Sequence, residues 1–174
     1  MSRKKPTRRR VRYQDPLETR FSGAVTDFCR LVEEYESFGN DGKAWLHRVG
    51  SIMQTLEQQI QPLMPYGTAE AEYSMLQDLE GRFALYQRLK SFLGPFDDYW
   101  SEGDLEAGDG LKTGSLADDI TDVYFDLKRG LNLYREGPGQ EASALSLWVF
   151  SYRIHWEQHL RDATKQLFEF RIAS

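Results

Sequence analysis

Cysteine is almost missing from this 174-residue chain, where Cys29 stands alone. A single thiol excludes an internal disulfide and fits a reducing compartment. Cys29 follows Phe28 in an apolar-patterned segment, which suits a core thiol better than a nucleophile. Long apolar runs are missing too. No window approaches the roughly 18 residues that a membrane span needs, and the basic N-terminus lacks the apolar stretch of a secretory signal. The expected location is therefore cytoplasmic, with no membrane partner. Several chemical signatures are also absent: a Walker lysine, a G-x-S-x-G elbow, a Cys/His cluster, H-E-x-x-H and Glu-x-x-His. Gly108, Gly110 and Gly114 have the wrong spacing for a dinucleotide loop, and no strand is expected before them. No segment sustains a two-residue alternation, so no sheet is expected.

Charge is present but unevenly spread. The formal net charge of −5 hides a +7 segment, residues 1–12, which carries Arg3, Lys4, Lys5, Arg8, Arg9, Arg10 and Arg12 and no acid; the rest of the chain is −12. Residues 1–16 read as a disordered basic arm, because like charges repel and little there can be buried. The arm either keeps the chain soluble beside its own acidic body or binds a polyanion such as nucleic acid weakly and salt-sensitively. The body repels polyanions on average.

From residue 17 to 174 the pattern is helical, and the length suggests one domain that buries about 70% of its unfolded surface. Phe21, Val25, Phe28, Leu31, Val32 and Tyr35 recur at helical spacing in a first helix. A second, about 42–64, carries Leu46, Val49, Ile52, Met53, Leu56, Ile60 and Leu63 in one stripe, with Asp41 as its cap and Pro62 and Pro65 at its end. A third, about 69–93, has the stripe Leu76, Leu79, Phe83, Tyr86, Leu89 and Phe92, with Gly81 as a weak point. Residues 94–114 then form a long acidic loop with Phe96, Tyr99 and Trp100 in it. Loops of that length are usually functional or disordered. A fourth helix, about 115–135, buries Leu116, Ile120, Val123, Tyr124, Leu127, Leu131 and Tyr134. A fifth, about 140–170, carries Leu145, Trp148, Val149, Tyr152, Trp156, Leu160, Ala163 and Leu167. The expected fold is an all-α, single-domain bundle of about five helices, with the last two in a hairpin around Gly137-Pro138-Gly139.

That hairpin holds the densest set of chemical groups. Ser115 and Asp118 form a capping box at the start of the fourth helix. Asp119, Asp122 and Asp126 fall within about 60° of one another around the same helix. Three like charges on one strip repel unless Lys128, Arg129 or a neighbouring helix neutralises them, or unless they receive a cation. His155 and His159 stand at i and i+4 on one face of the fifth helix, near Trp148 and Tyr152, and Asp162 continues that face. Two imidazoles and carboxylates suit Zn²⁺ or Fe²⁺. The spacing suits better still histidines that hydrogen-bond aspartates across a helix interface, an arrangement that would shift their titration upward.

The run SLADDITDVYFDLKRGLNLY, followed by IHWEQH, resembles an uncharacterised bacterial family, domain of unknown function 5063. PFDDYW and FCRLVEE share the likeness, which covers roughly residues 20–168. By that resemblance Asp118, Asp119, Asp122, Tyr124, Asp126, Lys128, Gly130, His155, Trp156 and His159 occupy family-pattern positions, and Glu157 stands where the family more typically has Gly. The family brings no established activity, so the likeness implies a fold and a site location and leaves function open.

Three functional expectations result. The first is a non-enzymatic bundle, without cofactor, that binds a protein partner or itself through a second apolar strip (Leu147, Phe150, Ile154 and Phe168) and the aromatic loop. The second is a Zn or Fe site built from His155, His159 and the aspartates at 119, 122 and 126, supported by Tyr124, Lys128, Trp148, Trp156 and Asp162. The third is nucleic-acid association through the arm alone.

Overall fold

The computed structural model describes residues 16–67, 78–101 and 112–173, except for the side chains of residues 100, 101, 112, 113 and 171–173. The basic arm, Leu76 and the middle of the acidic loop lie outside these described residues. Helix α1 spans Pro16–Glu33, α2 Gly42–Ile60, α3 Leu79–Leu93, α4 Leu116–Arg135, α5 Glu141–Ser151 and α6 Glu157–Ala173. A π-turn, Tyr152–Trp156, joins α5 to α6, so the two form one long helix with a wider turn inside it. Five helical rods result, as the periodicity predicts.

Local chemistry explains where they start. The Asp41 side chain accepts from the Ala44 N–H and caps α2. Asp78 caps α3 by accepting from the Gly81 N–H. A Cβ at position 81 would lie 2.5 Å from the Asp78 carboxylate, so glycine makes room for the cap rather than weakening the helix. Ser115 accepts from the Asp118 N–H and itself donates to Asp97. Asp97, almost wholly buried, also accepts from the Ala117 N–H at 2.7 Å. Carboxylates at that end complement the positive end of the helix.

Two expectations need correction. A short antiparallel ribbon exists: β1, Asp98–Ser101, pairs with β2, Lys112–Ser115, at the two ends of the acidic loop. Four residues per strand are too few for an alternation to register. The face of α3 also differs. Its inward residues are Arg82, Leu85, Leu89 and Leu93, while Leu79 and Phe83 of the expected stripe are 57% and 58% exposed.

The core joins Phe21 and Phe28 of α1, Trp45 and Met53 of α2, Leu89 of α3, Leu127 of α4 and Trp148 and Trp156 of the last helix. The hairpin forms as expected, with α4 antiparallel to α5 and α6. At its closed end Trp148 donates its indole N–H to the Leu127 carbonyl at 3.0 Å. A Cβ on Gly130 would fall 2.2 Å from that indole nitrogen, so α4 and α5 meet over a bare backbone.

Candidate functional site: two histidines, three aspartates and a buried arginine

The π-turn carries His155, and His159 follows one turn later in α6. The Glu157 N–H reaches back five residues to the Tyr152 carbonyl. Trp156 fills the space beneath, its indole N–H shared between the Trp148 carbonyl and the Ser151 hydroxyl. Such turns often mark functional positions in helices. Here it sets the two imidazoles against α4 with ring centroids 5.0 Å apart.

Each ring is held by its Nδ1. His155 Nδ1 lies 2.6 Å from Asp126 Oδ2, and His159 Nδ1 lies 2.8 Å from Asp119 Oδ1. An ionised carboxylate only accepts, so Nδ1 is the donating nitrogen in both rings. His159 Nε2 is 3.4 Å from Asp122 Oδ2. Asp122, His155 and His159 each offer a ligand atom within 4.8 Å of the other two.

Asp122 is held from behind as well. Arg82, reaching in from α3, donates to its Oδ1. The same guanidinium comes within 3.8 Å of Asp126 and lies 5.1 Å from the centroid of the Phe125 ring. Asp119 is fixed on its second oxygen by the Tyr99 hydroxyl, at 2.5 Å. Asp126, Asp119 and Arg82 are all buried.

Titration follows this geometry. Burial pushes the Asp119 carboxyl above its ordinary 3.8, against hydrogen bonds from His159 and Tyr99. Partial desolvation at the cleft wall likewise raises Asp118, helped by the charge of Asp122. For His159, burial disfavours the charged ring, but the Asp119 hydrogen bond and the charges of Asp122, Asp119 and Asp118 outweigh it and raise its pKa above 6.5. The pocket thus favours positive charge.

Asp119, Asp122, His159 and Arg82 line an open cleft of about 760 Å³, while His155 and Asp126 lie behind its lining. The wall from α4 and α6 offers Asp118, Asp119, Asp122, His159 and Asp162, and the wall from α3 offers Leu79, Phe83 and Tyr86.

A family model described as a domain of unknown function (DUF5063) matches residues 14–173. The chain belongs to this family. Among solved structures, the DUF5063 chain is similar to protein BF1032 from Bacteroides fragilis, with a TM-score of 0.70 at 20% identity. That match covers 90% of this chain and 92% of the other, and it bears on the fold alone. No curated protein matches significantly.

Within this DUF5063 domain, the residues singled out by sequence separate into three groups. Asp119, Asp122, Asp126, His155 and His159 come together. Asp162 lines the cleft with Asp119, Asp122 and His159, accepting from Gln158. Tyr124 and Lys128 do not: both donate to Glu33 of α1 on another side of α4. Trp148 and Trp156 are core residues beneath the site. Of the second apolar strip, Leu147 is buried, while Ile154 and Phe168 are about half exposed and fourteen residues apart along the helix. Glu157 pairs with Arg161 at 2.7 Å.

Sequence reasoning missed Arg82. It sits among the apolar residues of α3, and only the acidic strip of α4, some forty positions later, hints that a buried cation must come from somewhere. The charge of that strip is met by Arg82 and the histidines; Lys128 is engaged elsewhere.

Proposed function

We propose that this protein binds a divalent metal ion of the zinc or iron(II) class through Asp122, His155 and His159. One observation carries the reading: every candidate ligand is fixed on its far atom by a buried partner. Asp126 holds His155, Asp119 holds His159 and Arg82 holds Asp122. Metal-binding histidines characteristically donate their other ring N–H to a carboxylate, which sets ring orientation and raises ligand basicity. The 3.4 Å between His159 Nε2 and Asp122 Oδ2 is close to the edge of a tetrahedron whose ligands sit about 2.0–2.1 Å from a central ion. Two imidazoles and one carboxylate suit zinc or iron(II) chemistry.

Three protein ligands leave coordination positions over for water or a bound molecule, and two of the three, Asp122 and His159, line the cleft. That is the pattern of reactive metal sites, whereas structural ones are closed by four protein ligands. Such an ion would supply Lewis-acid chemistry at the inner end of the cleft.

Elemental analysis of full-length protein, purified without chelator or affinity metal, tests this together with Zn²⁺ titration by calorimetry. About one ion per chain is expected, with affinity falling at least a hundredfold in His159→Ala while circular dichroism stays native. No stoichiometric metal and no saturable Zn²⁺ binding, or unchanged affinity in a folded His159→Ala, would defeat it.

A further inference from the structure

The cleft outside the three ligand residues has a chemistry of its own. Along one wall, Leu79 and Phe83 are more than half exposed, and the Phe83 and Tyr86 rings lie 6.4 Å apart at a shallow angle. Together they make an apolar surface that the described residues leave open. Facing it are the carboxylates of Asp118, Asp119, Asp122 and Asp162. The cations among the lining residues, Arg82 and His159, are already turned onto Asp122 and Asp119. With His159 neutral, as a metal ligand must be, the four carboxylates set against Arg82 and a divalent ion still leave the cleft at −1. A third observation is independent of charge. Thr121 lines the cleft, is 2% exposed, and its hydroxyl has no hydrogen-bond partner among the described residues. A buried hydroxyl without a partner is costly and rare in folded proteins, and a ligand that meets it removes that cost.

We infer that the cleft takes a small organic cation with a flat apolar body. The ring lies along Phe83 and Tyr86, and the amine or amidine faces Asp118 and Asp162. Aromatic faces attract cations, and planar amidinium groups match carboxylates with paired hydrogen bonds. A cleft of about 760 Å³ suits one such molecule. Phosphorylated ligands are disfavoured by the same carboxylates. The inference deepens the metal reading by naming the ligand class of the same cleft, but the cation's contacts lie outside the three metal ligands.

Calorimetric titration of the full chain with benzamidine, benzamide and phenyl phosphate, before and after Zn²⁺ loading, tests it. The three probes share a ring and differ in charge. Benzamidine is expected to bind at one site, at least tenfold more tightly than benzamide, with no detectable phenyl phosphate binding. Asp118→Asn and Phe83→Ala, both at exposed positions, should each weaken benzamidine at least fivefold while keeping native zinc content. Equal binding of benzamide, tighter binding of phenyl phosphate, or unchanged binding in both variants would overturn it. Zinc content of the same samples separates the two ideas. Zinc without benzamidine binding removes only the ligand class, and benzamidine without zinc removes only the metal.

Discussion

Helix α4 meets the last helix twice, and the two meetings are built on opposite principles. At its C-terminal half, Leu127, Gly130 and Leu131 receive Trp148 in a dry contact with one hydrogen bond from the indole. From its first turn to its middle, Asp119, Asp122 and Asp126 receive two imidazoles and, from α3, a guanidinium. The first contact gains from excluded water and close packing. The second takes charged groups out of water and recovers that cost only through pairing. A helix needing only to fold would repeat the first solution along its length. On α4 it is replaced only on the strip that carries the three aspartates, beside the dry contacts of Leu116, Ile120 and Val123, and that local replacement is what the proposed site rests on.

Three experiments break or sharpen this contrast. The largest effect is expected from Trp148→Ala, which empties the dry contact and strips the Leu127 carbonyl of its donor. Denaturant unfolding should show a loss of about 3–5 kcal/mol. A loss below about 1 kcal/mol would mean that the bundle does not depend on this end of the hairpin. Next comes Asp126→Asn, which keeps the shape beside His155 and removes the charge. Zn²⁺ affinity by calorimetry should fall about 10–100-fold. A lower melting temperature with unchanged Zn²⁺ affinity would make the polar contact purely structural. The smallest effect is expected from Ser115→Ala, since Asp97 continues to hold the Ala117 N–H. About 1 kcal/mol should be lost, with Zn²⁺ affinity unchanged; a tenfold drop would tie the helix start to the site.

Much of this contrast is legible in residue spacing. Asp119, Asp122 and Asp126 share a helical face because three- and four-residue steps nearly close a turn, and His155 and His159 do so for the same reason. The caps at Asp41 and Ser115 are local and show in the sequence. What escapes is non-local. Helix α3 has apolar residues on two sides, so periodicity alone cannot choose between the Leu79–Phe83 face and the Leu85–Leu89 face. The choice is made by α4, whose buried acids draw Arg82 inward and leave Phe83 in the cleft. The ribbon at Asp98–Ser101 is likewise fixed by a partner strand more than ten residues away. Cys29 was readable from its neighbours: burial raises its thiol to about 12, out of the range of nucleophiles.

The wider turn at Tyr152–Trp156 has a consequence for how this molecule tolerates change in length. Removing one residue there would restore an ordinary helix and rotate everything beyond it by about 100° relative to what precedes it. The indole could then keep its seat on Gly130, or the imidazoles could keep their aspartates, but not both. The two halves of the hairpin are phased against each other by a single residue, so insertions and deletions should be far less tolerated in this short stretch than substitutions at its exposed positions, Arg153 and Ile154.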